Sequence, residues 1–156
     1  GRIHSLACAT SSRVFFLGKG LAAVKPALRI VDSITELVPG ADAGCVAVSG
    51  SHGGISSARY ALAARPCMAV FNDAGIGLDQ AGVAALLLLQ DQGVAACAVS
   101  HQSARIGDAR STWATGVISH CNALAEALGA APGTPCAELV QRLTSGPAPP
   151  LPREMV

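Results

Sequence analysis

Charged side chains are scarce in this sequence, and aromatic rings are scarcer. Only 13% of its 156 residues are Asp, Glu, Lys or Arg, against about 25% in average globular domains. One Trp, one Tyr and three Phe make up the aromatic content, and the net charge is +1. There is thus no basic stripe and no stacking platform for bases, which argues against nucleic-acid binding. Long hydrophobic runs are missing too. The longest strictly apolar stretch, Val83 to Leu89, has seven residues where about 20 are needed to cross a bilayer, so no membrane span is expected.

Several chemical signatures are also lacking. No G-K-[ST] element is present, which excludes a P-loop. Gly50-Ser51-His52-Gly53-Gly54 does not have the G-x-G-x-x-G spacing of a dinucleotide fingerprint, whose only other trace is Asp73, 19 residues beyond Gly54. Cysteines occur at 8, 45, 67, 97, 121 and 136 with no C-x-x-C pair, and no secretory pattern opens the stretch given. That usage suits free thiols in a reducing, cytoplasmic setting. No cofactor is implied by any motif.

What is abundant is small apolar residues. The chain is 51% hydrophobic, and its length is about that of one domain. Few charges remain to cover the surface, so part of that surface is expected to lie against another copy of the chain, as a homo-oligomer.

Residues 1–12 show no period and read as a loose segment. Arg13–Leu17 and Leu28–Asp32 look like strands, and Ile34–Ala43, with Pro39-Gly40, reads as a turn with at most a short helix. From Cys45 the pattern strengthens. Cys45–Ser49, Cys67–Phe71 and Val94–Ser100 are apolar runs rich in small and β-branched residues, as strands buried on both faces require. A helix is expected over Ser56–Arg65, stopped by Pro66, and a second from an Asp79 cap to Gly93. The second is apolar around its circumference, so the 80–92 helix is expected inside the domain or at a subunit interface. Trp113, Val117, Cys121, Leu124 and Leu128 fall at steps of four, four, three and four, which predicts one long helix with a buried stripe and places His120 near it. A shorter helix over Pro135–Leu143 precedes a proline-rich tail, 144–156.

Strands alternating with helices predict a single α/β domain over 13–143, a three-layer sandwich with a mostly parallel sheet, Rossmann-like or flavodoxin-like. Ligands in such sheets bind beyond the carboxyl ends of the strands. Three loops follow those ends: Ser49-Gly50-Ser51-His52-Gly53-Gly54, then Asn72-Asp73-Ala74-Gly75-Ile76-Gly77, then His101 to Thr112. They concentrate polar and ionisable groups in a chain otherwise short of them.

Four functions fit these loops. In the first, an enzyme grips the carboxylate or phosphate of a small metabolite with the backbone at Gly53, Gly54 and Ser56 and with Arg105, while His52, Asp73 and His101 transfer protons in hydrolase- or lyase-like chemistry. Ser49, Asn72, Ser103 and Asp108 are further candidate ligand contacts. In the second, Ser49-Gly50-Ser51-His52-Gly53-Gly54 resembles the nucleophile elbow of the α/β-hydrolase family, with Ser49 where that family has its first glycine. The resemblance implies Ser51 as nucleophile with Asp73 and His101 following in the family's chain order. In the third, His52, His101 and Asp73 hold a divalent metal, zinc with an open position for water. The fourth is a binding or assembly module without chemistry, in which the glycines serve turns and Asp79, Ser111 and Thr112 serve as caps.

Overall fold

The sheet is built from five strands that lie side by side in chain order. In a computed structural model, which describes residues 15–16, 21–22 and 25–145, β3 (Leu28–Val31), β4 (Val46–His52), β5 (Met68–Asn72) and β6 (Ala95–Val99) run parallel, and β7 (Ile118–Cys121) returns antiparallel beside β6. Two short strands, β1 (Phe15–Phe16) and β2 (Leu21–Ala22), pair separately. The expected three-layer, mostly parallel α/β architecture is present. Its strand order is sequential, unlike the reversed orders of Rossmann-like or flavodoxin-like sheets. The predicted loose segment and nearly all of the proline-rich tail lie outside the described residues.

Alternation along the central strands divides the core. Ala47, Ala69, Phe71, Ala96 and Ala98 face one side, where they meet Ala58, Ala61 and Ala64 of α1 (Ile55–Ala64) and Ala85, Leu86 and Leu89 of α2 (Ala84–Asp91). Val46, Val48, Met68, Val70, Cys97 and Val99 face the other, against Cys136, Leu139 and Val140 of α5 (Cys136–Ser145), on which α3 (Ala109–Thr115) packs. Alanine dominates the first side because helices there approach closely, while branched side chains fill the second.

The first connecting helix ends as its sequence suggests. Arg65 takes a left-handed conformation (φ 54°), its amide bonds to Ala61, and Pro66 follows. The second helix differs from expectation: a 3-10 stretch over Leu78–Val83 precedes it, and the α-helix itself starts only at Ala84.

A larger departure lies in the segment read as one long helix from about Asp108 or Thr112 to Leu128. It forms α3, then β7, then α4 (Ala123–Ala127). Trp113 is 39% exposed and Val117 36% exposed, so the inferred buried stripe does not exist. Two residues cause the break. Gly116 turns so tightly that a Cβ there would collide with the Thr112 carbonyl oxygen. Asn122 caps α4, its side chain accepting from the Ala125 amide at 2.9 Å. His120, placed near that stripe by its spacing, is exposed on the strand.

Cys45, Cys97 and Cys136 are buried free thiols and Cys121 is partly buried. Burial pushes the Cys45 thiol up to about 11 and that of Cys136 to about 12, so neither is a nucleophile near neutrality. Cys67 is disulfide-bonded, so the reading of the cysteines as free thiols does not extend to it.

Candidate functional site

Connections after β4 and β5 pass to the side of α1 and α2, whereas the connection after β6 passes to the side of α3 and α5. The chain therefore parts to opposite faces between the ends of β5 and β6, the kind of crevice in which α/β sheets hold ligands. Asp73 stands at the end of β5 and His101 just beyond β6.

Asp73 is 4% exposed and is the centre of the site. Its Oδ1 accepts from the Gly75 amide at 2.8 Å and the His101 amide at 3.0 Å, and lies 3.2 Å from Nδ1 of the His101 ring. Its Oδ2 accepts from the Ser119 hydroxyl at 2.7 Å. Burial alone would raise the pKa of Asp73. The hydrogen bonds from Ser119, from the Gly75 and His101 amides and from the His101 ring outweigh that burial and hold the carboxyl below its ordinary value. Asp73 is thus a carboxylate at neutral pH and can only accept hydrogen bonds. The His101 side chain, by contrast, is 50% exposed.

The turn that carries Asp73 is conformationally costly. Ala74, Ile76 and Gln80 all have positive φ, and for a β-branched residue such as Ile76 (φ 71°) that is a true outlier. Gly82 closes the turn from behind: its amide donates to the Ile76 carbonyl at 2.6 Å, and a Cβ on it would run into the Asp73 carbonyl oxygen.

Beside this turn is a cleft of about 380 Å³, lined by His52, Gly54, Ile55, Ala74, Ile76, Gly77, Ala81, Gly82 and Ala84. The His52 ring lies over Gly54, at the start of α1. The His101 ring lies over Gly75, between two of the cleft's lining residues. Gly54 caps α1 without a side-chain hydrogen bond, so the helix begins on bare backbone. The Gly53 amide is committed to the Asn72 carbonyl at 3.1 Å, which leaves the first-turn amides, at Ile55 and Ser56, as the donors an anion would meet.

The remaining predicted residues hold the scaffold. Ser49 donates to the Val70 carbonyl at 2.8 Å, and Asn72, fully buried, ties the Ala104 carbonyl at 3.1 Å and the Ala74 amide at 2.7 Å. Ser51 Oγ accepts from the Ile34 amide at 2.9 Å, so the elbow serine sits against the turn after β3 rather than against His101. Ser103 joins the Ser100 carbonyl to the Val117 amide. Asp108 caps α3 through the Ser111 amide and lies 3.6 Å from Arg105, whose side chain is 80% exposed and turned to solvent. Among the described residues, no three His, Cys, Asp or Glu side chains are placed to hold a metal ion. Of the expected trio, the structure joins Asp73 to His101 directly and sets His52 on the adjoining cleft.

No known family model, curated protein or solved structure matches this chain.

One residue at the site had no place in the sequence reading. Ser119, in contact with both Asp73 and His120, belongs to the segment whose spacing mimics a helix. Its only signal was the Val117-Ile118 pair, whose β-branching favours a strand.

Proposed function

We propose that this chain is an enzyme acting on a small anionic metabolite, bearing a carboxylate or phosphate, by acid-base chemistry of a hydrolytic or lyase-like kind. The observation that carries this reading is the 3.2 Å contact between Oδ1 of buried, ionised Asp73 and Nδ1 of half-exposed His101. A carboxylate on Nδ1 holds the hydrogen there, which leaves the lone pair on Nε2 of a side chain that is half-exposed. That is the arrangement of a general base oriented by a carboxylate. The cleft next to it supplies the α1 amides and His52 for an anionic group.

Nucleophilic attack by Ser51 finds less support, because its hydroxyl oxygen is engaged by the Ile34 amide. A non-catalytic ligand-binding module remains the competing class, and turnover separates the two. Screening small carboxylate- and phosphate-bearing compounds, including esters and lactones, should reveal a reaction that His101→Ala slows by about 100-fold or more. A reaction that survives both His101→Ala and Asp73→Asn would remove the proposal. Binding with no turnover would favour the module.

We also propose that the chain self-associates through α2. In support, Leu87 of that helix is 75% exposed and lines, with Ile55, Val83 and Leu88, a groove of about 660 Å³.

A further inference from the structure

Antiparallel β7 begins where β6 ends, so its first residues reach the end of the sheet that carries Asp73 and His101. Its pairing with β6 is irregular. Ile118 faces Val99 and His120 faces Ala98, so one residue of β7, Ser119, has no opposite number. An extra residue of this kind is a bulge, and bulges beside functional sites re-aim a side chain. Here the re-aimed side chain is Ser119, whose Oγ comes to 2.7 Å from Asp73 Oδ2.

The direction of each hydrogen follows from the carboxylate. Asp73 can only accept, so the Ser119 hydroxyl donates to it; the Ala98 carbonyl, at 3.4 Å, is a much longer alternative. With its one hydrogen spent, Ser119 Oγ meets His120 Nδ1 at 3.0 Å as an acceptor, and His120 must carry its hydrogen on that nitrogen. A second imidazole is thereby linked to the carboxylate that holds His101.

We infer that Ser119, held by His120, is a positioning residue for the Asp73–His101 pair: it occupies Oδ2 so that Oδ1 stays on the His101 ring, and it fixes both imidazoles with Nδ1 protonated. The inference rests on reading His101 as the proton-transfer group. Nitrogen-resolved imidazole NMR on the full chain tests it without needing a substrate. In the wild type both rings should show a protonated Nδ1 and a lone pair on Nε2. Ser119→Ala should release His120 Nδ1, changing its nitrogen shifts, and should move the His101 Nδ1 proton upfield as its bond to Asp73 loosens. Ser119→Thr, which restores the hydroxyl, should return both signals. Where a turnover is found, Ser119→Ala should lower kcat by about tenfold with little change in KM, and Thr should recover it. Unchanged ring signals in a folded Ser119→Ala protein, or failure of Thr to restore them, would overturn the inference. Absence of any turnover with the ring signals as expected would count against the acid-base enzyme alone.

Discussion

At the scale of single residues, Asp73 does two jobs that a substitution would separate. It anchors a strained turn and it orients a histidine. Asp73→Asn keeps the shape but loses the charge that four donors converge on, and should cost about 2–4 kcal/mol at neutral pH, read from urea unfolding. The pH dependence has a definite sign. Because the folded protein lowers the pKa of Asp73, its contribution is complete above the ordinary carboxylate value and is lost as pH falls through the lowered one. The gap between wild type and Asp73→Asn should therefore narrow below about pH 4. Gly82→Ala should also destabilise, by about 1–3 kcal/mol in the same assay, since its methyl would displace the Asp73 carbonyl. Asp73 and His101 were legible in the sequence because strand ends can be found from apolar runs, and polar residues there stand out in a charge-poor chain. Ser119 was not, because nothing local marks a bulge. The approach of Arg105 to Asp108, three residues on and 3.6 Å away, was not legible either, because the loop between them has no period from which a contact can be read.

Among elements, β3 to β6 and the first helix followed from their composition, with ends within a few residues. The segment 113–128 did not, and the reason is physical. Residues four, four, three and four apart also fall by chance in a short helix, an edge strand and another short helix joined by tight turns, and periodicity alone cannot exclude that. Asn122 was the informative position. Its side chain is buried yet fully partnered, with Oδ1 accepting from the Ala96 and Ala125 amides and Nδ2 donating to the Leu86 and Val94 carbonyls. One side chain thus pins α2, β6 and α4 together. Asn122→Ala should strand those backbone groups and lower stability by about 2–4 kcal/mol, with a matching fall in Tm by calorimetry. Because β7 depends on the same junction, the variant should also disturb the Ser119 contact.

For the whole molecule, low charge shapes the surface as well as the core. Leu78 and Leu87 are 84% and 75% exposed, and both belong to the stretch that includes α2. Sedimentation of the wild type should give a species larger than one chain, and Leu87→Glu should shift it to the monomer. A wild type that sediments as one chain would remove the proposed self-association. The three layers were legible because alternation of strand and helix leaves few other architectures. The order of strands was not, since sequence patterns mark where strands are and not which are neighbours.

That order bears on how the chain comes into being. Each strand from β4 to β7 lies next to the one made just before it, so a ribosome delivering the chain from its N-terminus never offers a new strand whose docking edge is still unsynthesised. The sheet can grow by accretion, one row at a time. The last row to arrive is β7, so Asp73 gains its final hydrogen-bond partner, Ser119, only after the other four strands of the sheet have been laid down.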